Sequence, residues 1–88
     1  MCTMIALKTS VTGGGKGPQG WFPVTQANVG YDHTTYLSNE HALLLDFVNP
    51  ELDPGARVAV ELDIASGKAL IAQIQAAIEA AEQSGVAE

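Results

Sequence analysis

The residues best equipped for chemistry lie in one segment, "YDHTTYLSNEHALLLDFVN", residues 31–49. It holds both histidines of the chain, His33 and His41, with Glu40 beside the second. Two imidazoles can share a divalent transition metal such as zinc, each nitrogen about 2.0–2.1 Å from the ion. One imidazole can instead act as a general base next to a carboxylate, its basicity set by the surface beneath it. A third reading gives them no chemistry: the two rings cap a hairpin end, hydrogen-bonded to Thr34, Thr35 or Ser38. All three stay open on the sequence alone.

Which reading applies depends on strand register. If His33 opposes His41 in an antiparallel ladder, Tyr31 opposes Leu43, Val29 opposes Leu45 and Ala27 opposes Phe47. Side chains alternate along a strand, so all of these share one face. A slip by one residue would set Asn28, Gly30 and Asp32 against the leucine and phenylalanine set, a poorer match. The better register places both imidazoles at one end of an apolar face, with Asp32 and Glu40 directed to the other. A candidate metal or acid–base set is then His33, His41 and Glu40, and Tyr31 and Trp21 are candidate walls of a ligand site.

Two other segments invite chemistry. "GGGKGPQGWFP" (13–23) resembles a phosphate cradle with Lys16 as its cation, which makes Lys16 a candidate ligand contact. The order is unfavourable, because a cradle leads into a helix N-terminus and this loop leads into a strand. Trp21 after it can wall a pocket, anchor an interface or pack in the core. Cys2 would become an N-terminal nucleophile if Met1 were removed; with Met1 retained it is a thiol on an edge strand.

The elements that must position these residues read as four strands and a helix. "TMIALKTSVT" (3–12) alternates and predicts a strand, and "GGGKGPQG" (13–20) predicts a loop. "WFPVTQANVGYDH" (21–33) and "HALLLDFVN" (41–49) predict the second and third strands. "PELDPG" (50–55) is a turn. "ARVAVELDI" (56–64) alternates with Val58, Val60, Leu62 and Ile64 on one face. Ser66 predicts an N-cap, Leu70, Ile74, Ala77, Ile78 and Ala81 form a helical stripe, and Gly85 predicts the stop. The expected fold is α+β, a four-stranded mainly antiparallel sheet followed by one C-terminal helix, in a single domain spanning 1–88.

The third strand is apolar on both sides, and one helix covers only part of a four-stranded sheet. A chain of 88 residues is also short for a self-sufficient core. Both points predict self-association into at least a dimer, the alternative being a curled sheet, or a barrel closing on itself, with the glycine loop folded over it. A pure subunit of a complex with a different protein partner is a further reading. Four basic against ten acidic residues give a net charge of −6, and Lys8, Lys16, Arg57 and Lys68 form no cluster, so a basic nucleic-acid interface is not expected. The start "MCTMIALKTS" lacks a signal peptide's basic region, and no apolar run reaches the roughly 20 residues of a membrane span. With a single cysteine excluding an internal disulfide, the expected setting is the cytoplasm.

"MCT", "KGPQGWFPVTQANVGYDH", "EHALLLDFVN" and "PGARVAVEL" together resemble a small uncharacterised actinobacterial family, known as a domain of unknown function. Its distinctive features are a KGPxGWFPVT segment and a DH…EH pair. Where relatives read "DHPFHAP.EH", this chain reads "DHTTYLSNEH", so Tyr36 or a neighbour replaces a third histidine. The resemblance implies a bacterial, cytosolic protein and supplies no mechanism. The expectation is therefore a self-associating module with a histidine–carboxylate site that binds a small ligand or metal as an accessory protein. The alternative is a small enzyme using His33 or His41 with Glu40 at a subunit boundary.

Overall fold

The computed structural model describes residues 4–88, so Cys2 lies outside the described residues. The strands are β1 (Ile5–Gly17), β2 (Gly20–His33), β3 (His41–Val48) and β4 (Arg57–Leu62), followed by helix α1 (Ile64–Ser84). The sheet is an antiparallel meander in the order β1-β2-β3-β4. The α+β class and the order of elements agree with the sequence. No helix among the described residues is long and apolar enough to cross a membrane.

The β2/β3 register is the one the apolar pattern favours, from Gln26 opposite Val48 to His33 opposite His41. β4 continues it, with Leu62, Val60 and Val58 opposite Leu43, Leu45 and Phe47. One face of the sheet therefore carries an unbroken apolar set. The other carries Asp46, held by Arg57 through two hydrogen bonds of 2.8 and 3.1 Å, and Gln26 bonded to Asn28.

The glycine segment corrects the sequence reading. Residues 13–17 are not loop; they extend β1 to a tight turn in which Gly17 pairs with Gly20. A bulge sets Val11 and Thr12 against the single residue Thr25 between the Ser10–Gln26 and Gly13–Val24 pairs, and such bulges bend a strand. The far end of the hairpin consequently folds toward β4, where a β-carbon on Gly15 would stand 2.9 Å from Val24 and 3.4 Å from Val58. Glycine is required there because a side chain would separate the hairpin from β4. The sheet is therefore curled at one end of the apolar face.

At the other end the face meets α1. Its N-cap is Asp63 rather than Ser66: the Asp63 carboxylate accepts a 2.7 Å hydrogen bond from the Ser66 amide. Ser66 is the third helical residue, whose amide needs such a partner, and Ile64 starts the helix instead of ending β4. Gly85 ends the helix in the left-handed region at φ 79°, as expected. The sole buried residue of α1 is Gly67, which lies against the Leu43 side chain so closely that a β-carbon would overlap it.

Beyond that contact the helix leaves the sheet. Ile71, Ile74 and Ile78 are 68, 51 and 48% exposed. Among the described residues the buried apolar ones are Val24, Ala27, Ala42 and Ala56, and no large side chain is fully buried. The radius of gyration is 14.8 Å, against about 12 Å for a compact chain of this length. The structure is a curled sheet with an open apolar middle and a projecting helix.

Candidate functional site

His33 and His41 are cross-strand partners at the end of the apolar face. Their ring centroids are 4.6 Å apart and their planes differ by 50°. Tyr31, two residues back on the same face, stacks on His41 with centroids 5.9 Å apart and planes 26° apart. His41 is thereby seated on the sheet, whereas His33 keeps 58% of its side chain exposed.

The carboxylate at the pair is Asp32, not Glu40. Asp32 Oδ1 accepts a hydrogen bond from the His33 amide at 2.5 Å and lies 3.0 Å from His33 Nδ1. Alternation directs Asp32 to the opposite face, but at the end of a strand its short side chain reaches around to its neighbour's ring. The amide bond, then the ring contact, hold the Asp32 carboxyl below its ordinary value. Glu40 is exposed, and among the described residues no three His, Cys, Asp or Glu side chains come together to hold a metal.

The loop between the histidines is pinned by a residue the sequence reading gave no role. Glu61 of β4 accepts hydrogen bonds from the amides of Thr35, Tyr36 and Leu37 at 2.6, 3.0 and 2.9 Å. The Thr34 hydroxyl lies 2.9 and 2.6 Å from the carbonyls of Leu37 and Asn39. The hairpin end is thus capped by Glu61 and Thr34 rather than by the imidazoles. Alternation alone marks Glu61 as a polar-face residue; its partners lie 24–26 positions away, a distance at which sequence gives no signal.

These amide bonds, that of Leu37 foremost, lower the Glu61 carboxyl from its ordinary value of 4.5. A carboxylate depressed by folding contributes stability that is present above its unfolded value and is lost as pH falls through the folded one. The Thr35, Tyr36 and Leu37 amide resonances are therefore expected to shift together with a midpoint below 4.5. Glu61→Gln should abolish that titration and increase amide exchange across residues 35–37. A midpoint at or above the ordinary value would contradict the three-bond arrangement.

Trp21 and Lys16 do not join the histidines. They pair with one another near the hairpin turn, about 40 Å of strand from His33 at 3.3 Å per residue. There they line a groove of about 550 Å³ with Val24, Phe47 and Val58; Trp21 is 74% exposed. Of the two walls expected on the sequence, Tyr31 stands at the imidazoles and Trp21 does not. Tyr31 also lines a second groove, of about 480 Å³, between the sheet face and Ile71 of α1.

The chemistry available at the pair is that of two neighbouring imidazoles, one backed by a carboxylate: such a set can hold a cation or move a proton. Residues 1–87 match the model of a family of unknown function, DUF6295, and the chain belongs to that family. No curated protein and no solved structure matches the chain.

Proposed function

We propose that the chain is a cytoplasmic binding module that works as a homo-oligomer, at least a dimer. The imidazole pair is its small-ligand site, and a second copy covers the open sheet face and the helix stripe.

One observation carries the assembly. The chain exposes 6700 Å², whereas a folded monomer of 9.2 kDa exposes about 4,900 Å². The excess, about 1,800 Å² per chain, lies within the roughly 1,000–2,500 Å² per partner of obligate interfaces. The helix has the matching pattern: Gly67, Ile71, Ile74, Ile78 and Ala81 recur at alternating steps of four and three, the spacing of a seam between helices. Gly67 is occupied by the chain's own Leu43, while Ile71, Ile74 and Ile78 are exposed and Ala81 is half-buried. A second copy supplies a surface of the same character and length, so the occupant of this face is another molecule of the chain.

The small-ligand reading is supported by the Asp32–His33 contact, which orients an imidazole whose far nitrogen remains available. The same contact would let His33 act as a base, with Asp32 in the orienting role first given to Glu40. The assembly is tested by the mass of the chain in solution, for which twice 9.2 kDa or more is expected.

A further inference from the structure

We infer that His33 and His41 form a chelating pair for a late first-row divalent cation, with Asp32 as the residue that orients His33. This names the ligand of the site proposed above and rests on that reading. It does not rest on self-association, because both imidazoles belong to one chain.

The geometry of the rings carries the inference. A metal bound to an imidazole nitrogen at about 2.0–2.1 Å stands about 3.2 Å from the ring centroid. Two such rings meeting at a right angle at one ion have centroids about 4.5 Å apart, and at the tetrahedral angle about 5.2 Å. The observed separation is 4.6 Å, within the range of centroid distances that a shared ion requires.

The surroundings favour the same occupant. His33 Nδ1 is taken by Asp32 Oδ1 at 3.0 Å, which leaves Nε2 as the free nitrogen. This is the carboxylate–histidine arrangement that fixes the tautomer of metal-bound histidines and raises their basicity. Stacking on Tyr31 limits the swing of His41. The chain carries a net charge of −6, which draws cations rather than anions. Imidazole nitrogens select zinc, copper and nickel over magnesium and calcium, which prefer oxygen. With two protein ligands the remaining coordination positions stay open to water or to an incoming anionic ligand.

The test is titration of the full chain with nickel chloride, followed by calorimetry, in a Cys2→Ser background that removes the thiol as a competing ligand. One nickel per chain with a dissociation constant in the micromolar range is expected. His33→Ala and His41→Ala should each weaken binding about 30-fold or more. Asp32→Asn should weaken it about 10-fold, as loss of an orienting partner does. Nitrogen-detected histidine spectra read the site directly: nickel should broaden the ring resonances of both histidines at once. Binding within twofold of the parent in either histidine variant, or no saturable binding in the Cys2→Ser chain, would overturn the inference. Either outcome is independent of the mass measured for the assembly, so the site and the oligomer fail separately.

Discussion

Ile74→Glu is expected to reduce the solution mass to a single chain of 9.2 kDa and to weaken self-association at least about 100-fold. Ile74 is half exposed in the isolated chain and central in the outward stripe of α1. Folding of one chain therefore gains little from it, while an interface there buries it. A carboxylate at that position must be desolvated for the second copy to dock, at a cost of several kcal/mol unless a partner is found. The comparison is Ala76→Glu, half a turn away on the opposite side of the helix, which should leave the mass unchanged. Because helix content from circular dichroism is read on both variants, loss of assembly is separable from loss of the helix. An Ile74→Glu chain with the parent's mass would place the interface elsewhere.

Gly30→Val is expected to destabilise the sheet through its backbone. Gly30 pairs with Ala6 on one side and Leu44 on the other, and a β-carbon there would stand 2.9 Å from the Ile5 carbonyl oxygen. That atom is backbone, so relief requires β1 to shift and hydrogen bonds of the ladder to be lost. Valine has the better strand propensity, worth up to about 1 kcal/mol, but overpacking against a fixed partner costs about 1–3 kcal/mol. A net loss of about 1–2 kcal/mol in urea denaturation is expected. Gly13→Ala is the contrasting change, since its β-carbon would meet nothing within 4 Å; it should be neutral or slightly stabilising. Equal effects at the two positions would contradict the close approach of Ile5 to Gly30.

The parts of this fold that sequence reveals are those set by local alternation. The β2/β3 register could be read because a one-residue slip would put Asn28 and Asp32 on the leucine face, a cost the chain avoids. Pattern gives no signal where a contact decides the local structure. Five glycines between 13 and 20 normally signal a loop, yet here bare backbone is needed so that Val24 and Val58 can close on Gly15. Ser66 resembled a cap because it precedes the apolar stripe, whereas Asp63 three residues earlier holds its amide. The site divides the same way. The two imidazoles were paired by register, and Tyr31 followed from the period of two. Glu40 was placed at the pair by adjacency to His41, but the structure gives that place to Asp32, whose side chain turns around a strand end. Trp21, a candidate wall of the histidine site on the sequence, lies instead beside Lys16 at the far end of β2.

The unpartnered surface also lies differently from the sequence expectation. Two-sided apolarity of β3 suggested that the face away from the helix needs covering. The structure instead gives that face the Asp46–Arg57 pair and leaves open the side the helix crosses, with Leu7 64% exposed and Val29 and Val60 over a third exposed. Helix and sheet face thus form one continuous apolar surface.

The claim that this surface closes on a second copy is decided most directly by sedimentation of the unmodified chain over a dilution series. A mass of twice 9.2 kDa or more, persisting to micromolar concentration, is the predicted result. A stable, folded species at the mass of one chain throughout the series would contradict it, because the stripe from Ile71 to Ala81 would then face water with nothing to cover it.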